Sequence, residues 1–211
     1  AVSLRLNIFH QRAVADVRAF AVRRDGEAIG ALWLDLVARD EKARGSWQYE
    51  LRAAERFRGP VLALSSIVSG NAPSRDGGPV LLGWDYANVL FHEFGHALHM
   101  LLGRARYPSL GSMGVAWDFI EVPALLNERW LLDRQLLERH ARHYRTGASM
   151  PKPMIDALEA AVCHDRVFSL TLDYLAVACV DLALYDTEAG DAQAIEAAML
   201  AALGMPRAID P

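Results

Sequence analysis

The sequence predicts a mainly α-helical chain with a small β-sheet, an α+β fold, and three observations predict it. Apolar residues recur at helical spacing through most of the chain beyond residue 85, as expected of helices that each bury one face. The first seventy residues instead carry short β-type runs punctuated by Asp25-Gly26 and Gly59-Pro60, both turn-forming pairs. The 211 residues, 53% of them hydrophobic, suffice for one sizeable domain with its own core. The chain is expected to divide into a sheet region (1–80), a pair of site-bearing helices (81–145) and a set of C-terminal helices (146–211).

Taken in order, Val17 to Arg24 partly alternates, Asp25-Gly26 supplies a turn, and Ile29 to Val37 resumes an apolar run. Two such runs around Asp-Gly predict a β-hairpin. Asp40 to Gly45 is a charged break, read as a solvated loop. Val61 to Val68 is predicted as a third strand, either plainly buried or at a sheet edge. Asn71 to Pro79, rich in Gly, Pro, Ser and Asp, reads as a loop. A helix capped by Asp85 is expected over Tyr86 to Leu102 and stopped by Gly103. Arg104 to Trp117 carries Pro108, Gly111 and Gly114 and is expected to be irregular. Asp118 then opens a helix running to about Tyr144, bent by Pro123 in its second turn. After a loop over Thr146 to Pro153, helices are expected over Met154–His164, Val167–Tyr185 and Asp191–Leu203.

The central stretch is Leu90-Phe91-His92-Glu93-Phe94-Gly95-His96-Ala97-Leu98-His99. Residues four apart on an α-helix lie one turn above each other on the same face. His92 and His96 can therefore aim two imidazole nitrogens at one point, about 2 Å from each, the Zn–N bond length. Glu93, one step round the helix, is placed to handle the proton of a water activated there. An exposed helix with two chance histidines would not surround them with Phe91, Phe94 and Leu98. A catalytic zinc needs a third protein ligand, and downstream stand Glu121 and Glu128, seven residues and about two turns apart. Only one of them can reach the metal, and periodicity does not choose between them. His99 shares the histidine face one turn too far along, and reads as packing or as an outer support.

These residues, with Arg106-Tyr107-Pro108-Ser109-Leu110, Asp118-Phe119-Ile120-Glu121-Val122-Pro123, Asn127-Glu128-Arg129-Trp130, Ala141 to Gly147 and Leu172-Asp173-Tyr174-Leu175, resemble the thimet oligopeptidase and peptidyl-dipeptidase family of zinc metallopeptidases. The likeness to the bacterial dipeptidyl carboxypeptidases is particular, and it covers nearly the whole chain. The resemblance implies a zincin-like catalytic core that hydrolyses short peptides with one zinc per chain. Its ligands would be His92, His96 and Glu121, and its general base Glu93. Glu128 then becomes an outer or structural acid. By analogy with zinc peptidases built on such a helix, the strand Val61–Val68 is either the edge that holds an extended substrate by strand addition or a plain buried strand. Asp118, three residues before Glu121, is a candidate to orient a ligating histidine as well as a candidate cap. Relative to that family the chain is expected to be truncated at both ends, without the N-terminal helical part and the C-terminal segment whose tyrosines and histidine assist the reaction. A relative that binds zinc or peptide without turnover is therefore the alternative expectation, and an H-E-x-x-H helix that is merely structural a further one. Ala124 and Leu125 stand where the family carries Ser-Gln, and Met100 where glycine is common.

The net charge of −4 gives no basic footprint for nucleic acid or anionic lipid. Cys163 and Cys179, set in apolar helical patterns without disulfide or metal spacing, read as reduced core thiols of a cytoplasmic protein. The N-terminus lacks the apolar run of a signal peptide, and the most apolar later segment, Leu175 to Leu184, is too short to span a bilayer. The expected partners are short peptides, and the chain is expected to be a monomer or to require the segments named above.

Overall fold

In the computed structural model, the residues described are 2–6, 17–57, 59–71, 81–165, 172–187 and 190–205. They form two compact units, 1–136 and 137–211. The first unit is built on a five-stranded sheet with strand order β1-β2-β3-β5-β4 among the described residues. The strands are β1 (Val2–Leu6), β2 (Val17–Arg24), β3 (Glu27–Val37), β4 (Ser46–Arg52) and β5 (Ala63–Asn71).

The predicted hairpin is β2–β3, paired antiparallel. Its two-residue turn holds Asp25 at φ 51° and Gly26 at φ 88°, the positive pair that a type I′ turn requires and that Asp-Gly accommodates. The predicted third strand is β5, but it is not an edge. It lies between β3, parallel to it, and β4, antiparallel. Among the described residues the edge strands are β1 and β4, and β4 is the one that α1 also touches, which corrects the assignment of the peptide-holding edge to Val61–Val68. Pairing in register places Phe20, Val22, Gly30, Leu32, Leu34, Ala63, Ser65 and Ile67 on one face of the sheet. Helix α1 (Trp84–Leu102) packs on that face, with Ala97, Met100 and Leu101 joining Val22, Leu32, Ala63 and Ile67 in the core. Gly30 permits the approach, because a Cβ there would lie 2.5 Å from Leu101 Cδ2 and 2.5 Å from the Ala63 carbonyl oxygen.

Where β3 and β5 end, Lys42 closes the sheet from below. Its side chain is only 4% exposed, and the ammonium donates to the carbonyl oxygens of Asp35 (2.6 Å), Val37 (3.1 Å) and Ser69 (2.6 Å), and to Asp35 Oδ1 (2.9 Å). The charged break of the sequence thus turns one lysine inward. Arg39 grips the Asp35 carboxylate with two bonds of 2.7 and 2.8 Å. Arg39 first, and Lys42 after it, hold the Asp35 carboxyl below its ordinary value against the opposing effect of burial. A depressed folded-state value contributes stability that is present above the unfolded pKa of about 3.9 and is lost as pH falls through the lower folded value. Asp35→Asn should therefore lower the melting temperature at pH 7, by a difference that shrinks as the pH falls below the unfolded value and through the lower folded one, as thermal unfolding along a descending pH series will show.

Helix α1 starts at Trp84 with Gly83 as N-cap, so Asp85 lies in the first turn rather than at the cap, and Gly103 ends the helix as expected. Two short 3₁₀ turns, Pro108–Leu110 and Ser112–Gly114, carry the irregular segment. The long helix expected from Asp118 is broken instead into α2 (Trp117–Ile120), α3 (Val122–Leu131) and α4 (Arg134–His140). Pro123 occupies the first turn of α3, where its missing N–H and fixed φ suit a helix start. Asp133 marks the second break by accepting from the Leu136 N–H at 2.8 Å. The N-cap of α2 is Ala116, not Asp118.

The second unit contains α5 (Lys152–Asp165), α6 (Tyr174–Tyr185) and α7 (Ala192–Ala202), with α6 packed on α7. Asp191 caps α7 through the Gln193 N–H. The start of the predicted helix Val167–Tyr185 lies outside the described residues, as does most of the loop after Asn71. Cys163 is exposed and Cys179 half-buried, so Cys163 is not the core thiol expected of it. Among the described residues no helix is long and apolar enough to cross a membrane.

Candidate metal and catalytic site

His92 and His96 stand one turn apart on α1, their rings nearly perpendicular at 81° with centroids 4.8 Å apart. Glu121 meets them from the junction of α2 and α3. The Nε2 atoms of the two histidines are 3.1 Å apart, and Oε2 of Glu121 is 3.2 Å from each. Ligands on a tetrahedral ion with bonds of 2.0–2.1 Å stand roughly 3.3 Å from one another. The three atoms therefore outline one face of such a tetrahedron. These three residues form the group, among the described residues, able to hold a metal ion.

The second acid approaches the same imidazole from its other side. Glu128 Oε1 lies 2.8 Å from His92 Nδ1, and Asn88 donates to Glu128 Oε2 at 3.1 Å. A carboxylate at Nδ1 fixes the proton there, which leaves the Nε2 lone pair free for a cation. The two glutamates thus serve opposite nitrogens of one ring. Asp118 is exposed in the first turn of α2, and the carboxylate that bonds a histidine Nδ1 is that of Glu128. His99 packs its ring against Phe119, with centroids 6.2 Å apart. Burial first, and the neighbouring His96 after it, push its pKa down.

Two features of the helix contact put Glu121 within reach. At Gly95 a Cβ would lie 2.6 Å from Ala124 Cα and 2.7 Å from the Pro123 carbonyl oxygen, so α1 and α3 cross with backbones almost touching. Asn127 Nδ2 donates to the Phe91 carbonyl oxygen at 2.6 Å and pins the crossing. Gly95→Ala should force the helices apart, at a cost of about 1–3 kcal/mol, and weaken metal binding because Glu121 moves with α3. Urea unfolding and metal titration of the same variant will show both. A glycine inside an otherwise strong helical pattern was the sequence signal for this crossing.

Glu93 is buried at 8% exposure. Its Oε2 accepts from the main-chain N–H of Gln48 on β4 at 2.6 Å. A cleft of 420 Å³ opens beside His92 and Glu93, with Ser46 and Tyr86 on its walls. The arrangement combines three ligand atoms spaced to suit one cation, a held carboxylate on the same helix and, among the described residues, an edge strand. Gln48 and Asn88, which sequence reading did not single out, both belong to it.

Comparison with known proteins shows the family of the chain. Residues 4–203 match peptidase family M3. The chain is similar to dipeptidyl carboxypeptidase of Escherichia coli, 31% identical over 178 residues, which are 84% of this chain and 26% of the relative. It is also similar to oligopeptidase A of Escherichia coli, 36% identical over 69% of this chain and 22% of the relative. Mitochondrial intermediate peptidase of Arabidopsis thaliana is 38% identical over 63% of this chain and 19% of the relative. The chain thus spans about a quarter of the length of the curated relatives it matches.

Proposed function

Because the chain belongs to peptidase family M3, we propose that it carries the metal centre of a zinc-dependent metallopeptidase that hydrolyses short peptides in the peptidyl-dipeptidase and oligopeptidase manner. The observation that carries the reading is the near-equilateral triangle of His92 Nε2, His96 Nε2 and Glu121 Oε2, with edges of 3.1, 3.2 and 3.2 Å. Two imidazoles and one carboxylate, with a position left open, are a donor set that suits catalytic zinc. The ion, when bound, polarises the scissile carbonyl and makes water more acidic.

The protein's own residues do the rest. Glu128 holds His92 in the tautomer that presents Nε2 outward. Glu93, adjacent in sequence to His92, takes a proton from the attacking water and passes it to the departing amine nitrogen. Its Oε2 is engaged by Gln48, which leaves Oε1 as the oxygen for proton traffic. The outward main-chain groups of β4 other than the Gln48 N–H, which Glu93 holds, are suited to align an extended peptide across the cleft by main-chain hydrogen bonding. Short peptides as substrates, and a cytoplasmic site of action, belong to the same proposal.

The test is one preparation assayed for both metal content and cleavage of a broad peptide set. The reading expects one zinc per chain and cleavage that a chelator stops and zinc restores. One tightly held zinc with no peptide cleaved would favour a metal-binding relative without turnover. A zinc-free protein of unchanged stability would leave the helix merely structural.

A further inference from the structure

We propose that Gln48 is a positioning residue for Glu93: its main-chain N–H holds one carboxylate oxygen while its carboxamide fastens β4 to β5 and α1. This deepens the peptidase reading and rests on Glu93 acting as the base.

Glu93 leaves α1 on a side chain with three rotatable torsions, and a base displaced by about 1 Å can cost on the order of 10² in rate. The bond from the Gln48 N–H, at 2.6 Å, is the hydrogen bond Glu93 makes among the described residues. That N–H is available because antiparallel strands turn alternate residues toward and away from their partner. Gln48 turns its main chain outward at the open edge, whereas Trp47 and Tyr49 turn theirs toward β5.

An edge strand is a poor place to fix a catalytic group unless something holds it. The Gln48 side chain does so. Its Nε2 donates to Ser65 Oγ at 2.8 Å and to Met100 Sδ at 3.4 Å, using both hydrogens of the carboxamide. Ser65 is fully buried in β5, and Met100, at 2% exposure, is buried in the same helix that bears Glu93. Strand, neighbouring strand and helix are thereby linked through one residue, and the N–H is brought to a fixed point relative to Glu93. Apolar side chains at position 48 would fill the space without either donor.

Two variants and one exchange measurement test this. Gln48→Met keeps side-chain length and removes both donors, and Ser65→Ala removes the main acceptor from the other side. Both are expected to lower kcat for peptide cleavage by about tenfold to a hundredfold, with KM and zinc stoichiometry unchanged. Gln48→Glu, which keeps the length and one possible donor when protonated, is expected to recover part of the loss at acid pH relative to Gln48→Met. In amide hydrogen exchange the Gln48 N–H is expected to be protected in wild type and to exchange at least tenfold faster in Glu93→Ala, while Trp47 and Tyr49 keep their protection. Wild-type kcat in both Gln48→Met and Ser65→Ala, or a Gln48 amide indifferent to Glu93→Ala, overturns the proposal. If the wild-type chain cleaves no peptide, the peptidase reading fails separately and the exchange comparison alone decides the tether.

Discussion

Glu93→Gln is expected to lower kcat for peptide cleavage by about 10²–10⁴, the range that loss of a positioned acid–base group costs, with zinc still bound stoichiometrically. The substitution is nearly isosteric. Its amide oxygen can still accept from the Gln48 N–H, so the strand contact at 2.6 Å has no reason to break. Its neutral head group cannot take a proton from water at working pH. Steady-state kinetics beside metal analysis of the same sample separate the two effects. Cleavage at the wild-type rate would remove Glu93 from the mechanism, whereas loss of zinc would make it a structural member of the site.

Glu121→Ala is expected to act on the metal instead. Glu121 supplies one corner of the triangle, 3.2 Å from each histidine nitrogen, and no shift of Glu128 replaces it, because Glu128 is committed to the opposite nitrogen of His92. Loss of an outer partner of a ligand costs roughly 10–100-fold in metal affinity, and loss of a ligand itself should exceed that. Stability should change little, since the Glu121 side chain is half exposed and packs no core. Competition titration against a chelator of known affinity measures the difference. Glu128→Ala, by comparison, should fall within the smaller range, and that ordering distinguishes the two acids.

The α1 part of the site was legible because its information is local. A spacing of four residues is one helical turn whatever surrounds it, so His92 and His96 converge by chain geometry alone. The hairpin was legible for the same reason, through Asp25-Gly26. The choice between Glu121 and Glu128 was not, because residues seven apart share a face and periodicity treats them alike. What separates them is the break at Glu121, where α2 ends and α3 begins ahead of Pro123. That break gives each glutamate its own nitrogen on one imidazole.

Strand β4 was missed for a different reason. Its alternation is present but inverted. Trp47, Tyr49 and Leu51 form the apolar set, with Tyr49 and Leu51 exposed, while the polar Gln48 and Glu50 share the register face of Ile67 and Ser65. A strand that spends its inward positions on a hydrogen-bond link and a carboxyl does not read as half-buried by hydrophobicity. Burial raises the Glu50 carboxyl above its ordinary value, in keeping with that inward placement. Asp133 carried a readable signal for the second helix break, an Asp that caps a helix, but an uninterrupted apolar pattern over Leu125 to Leu137 masked it.

The central claim is that two imidazoles from one turn of α1 and a carboxylate from the α2–α3 junction bind a single divalent ion. X-ray absorption at the zinc edge of the loaded protein tests it most directly. Two nitrogen scatterers with imidazole outer-shell features plus oxygen are expected, all at about 2.0–2.1 Å, with loss of the carboxylate oxygen scatterer in Glu121→Ala. A shell containing sulfur at about 2.3 Å, or a spectrum of fully hydrated zinc without imidazole features, would contradict it.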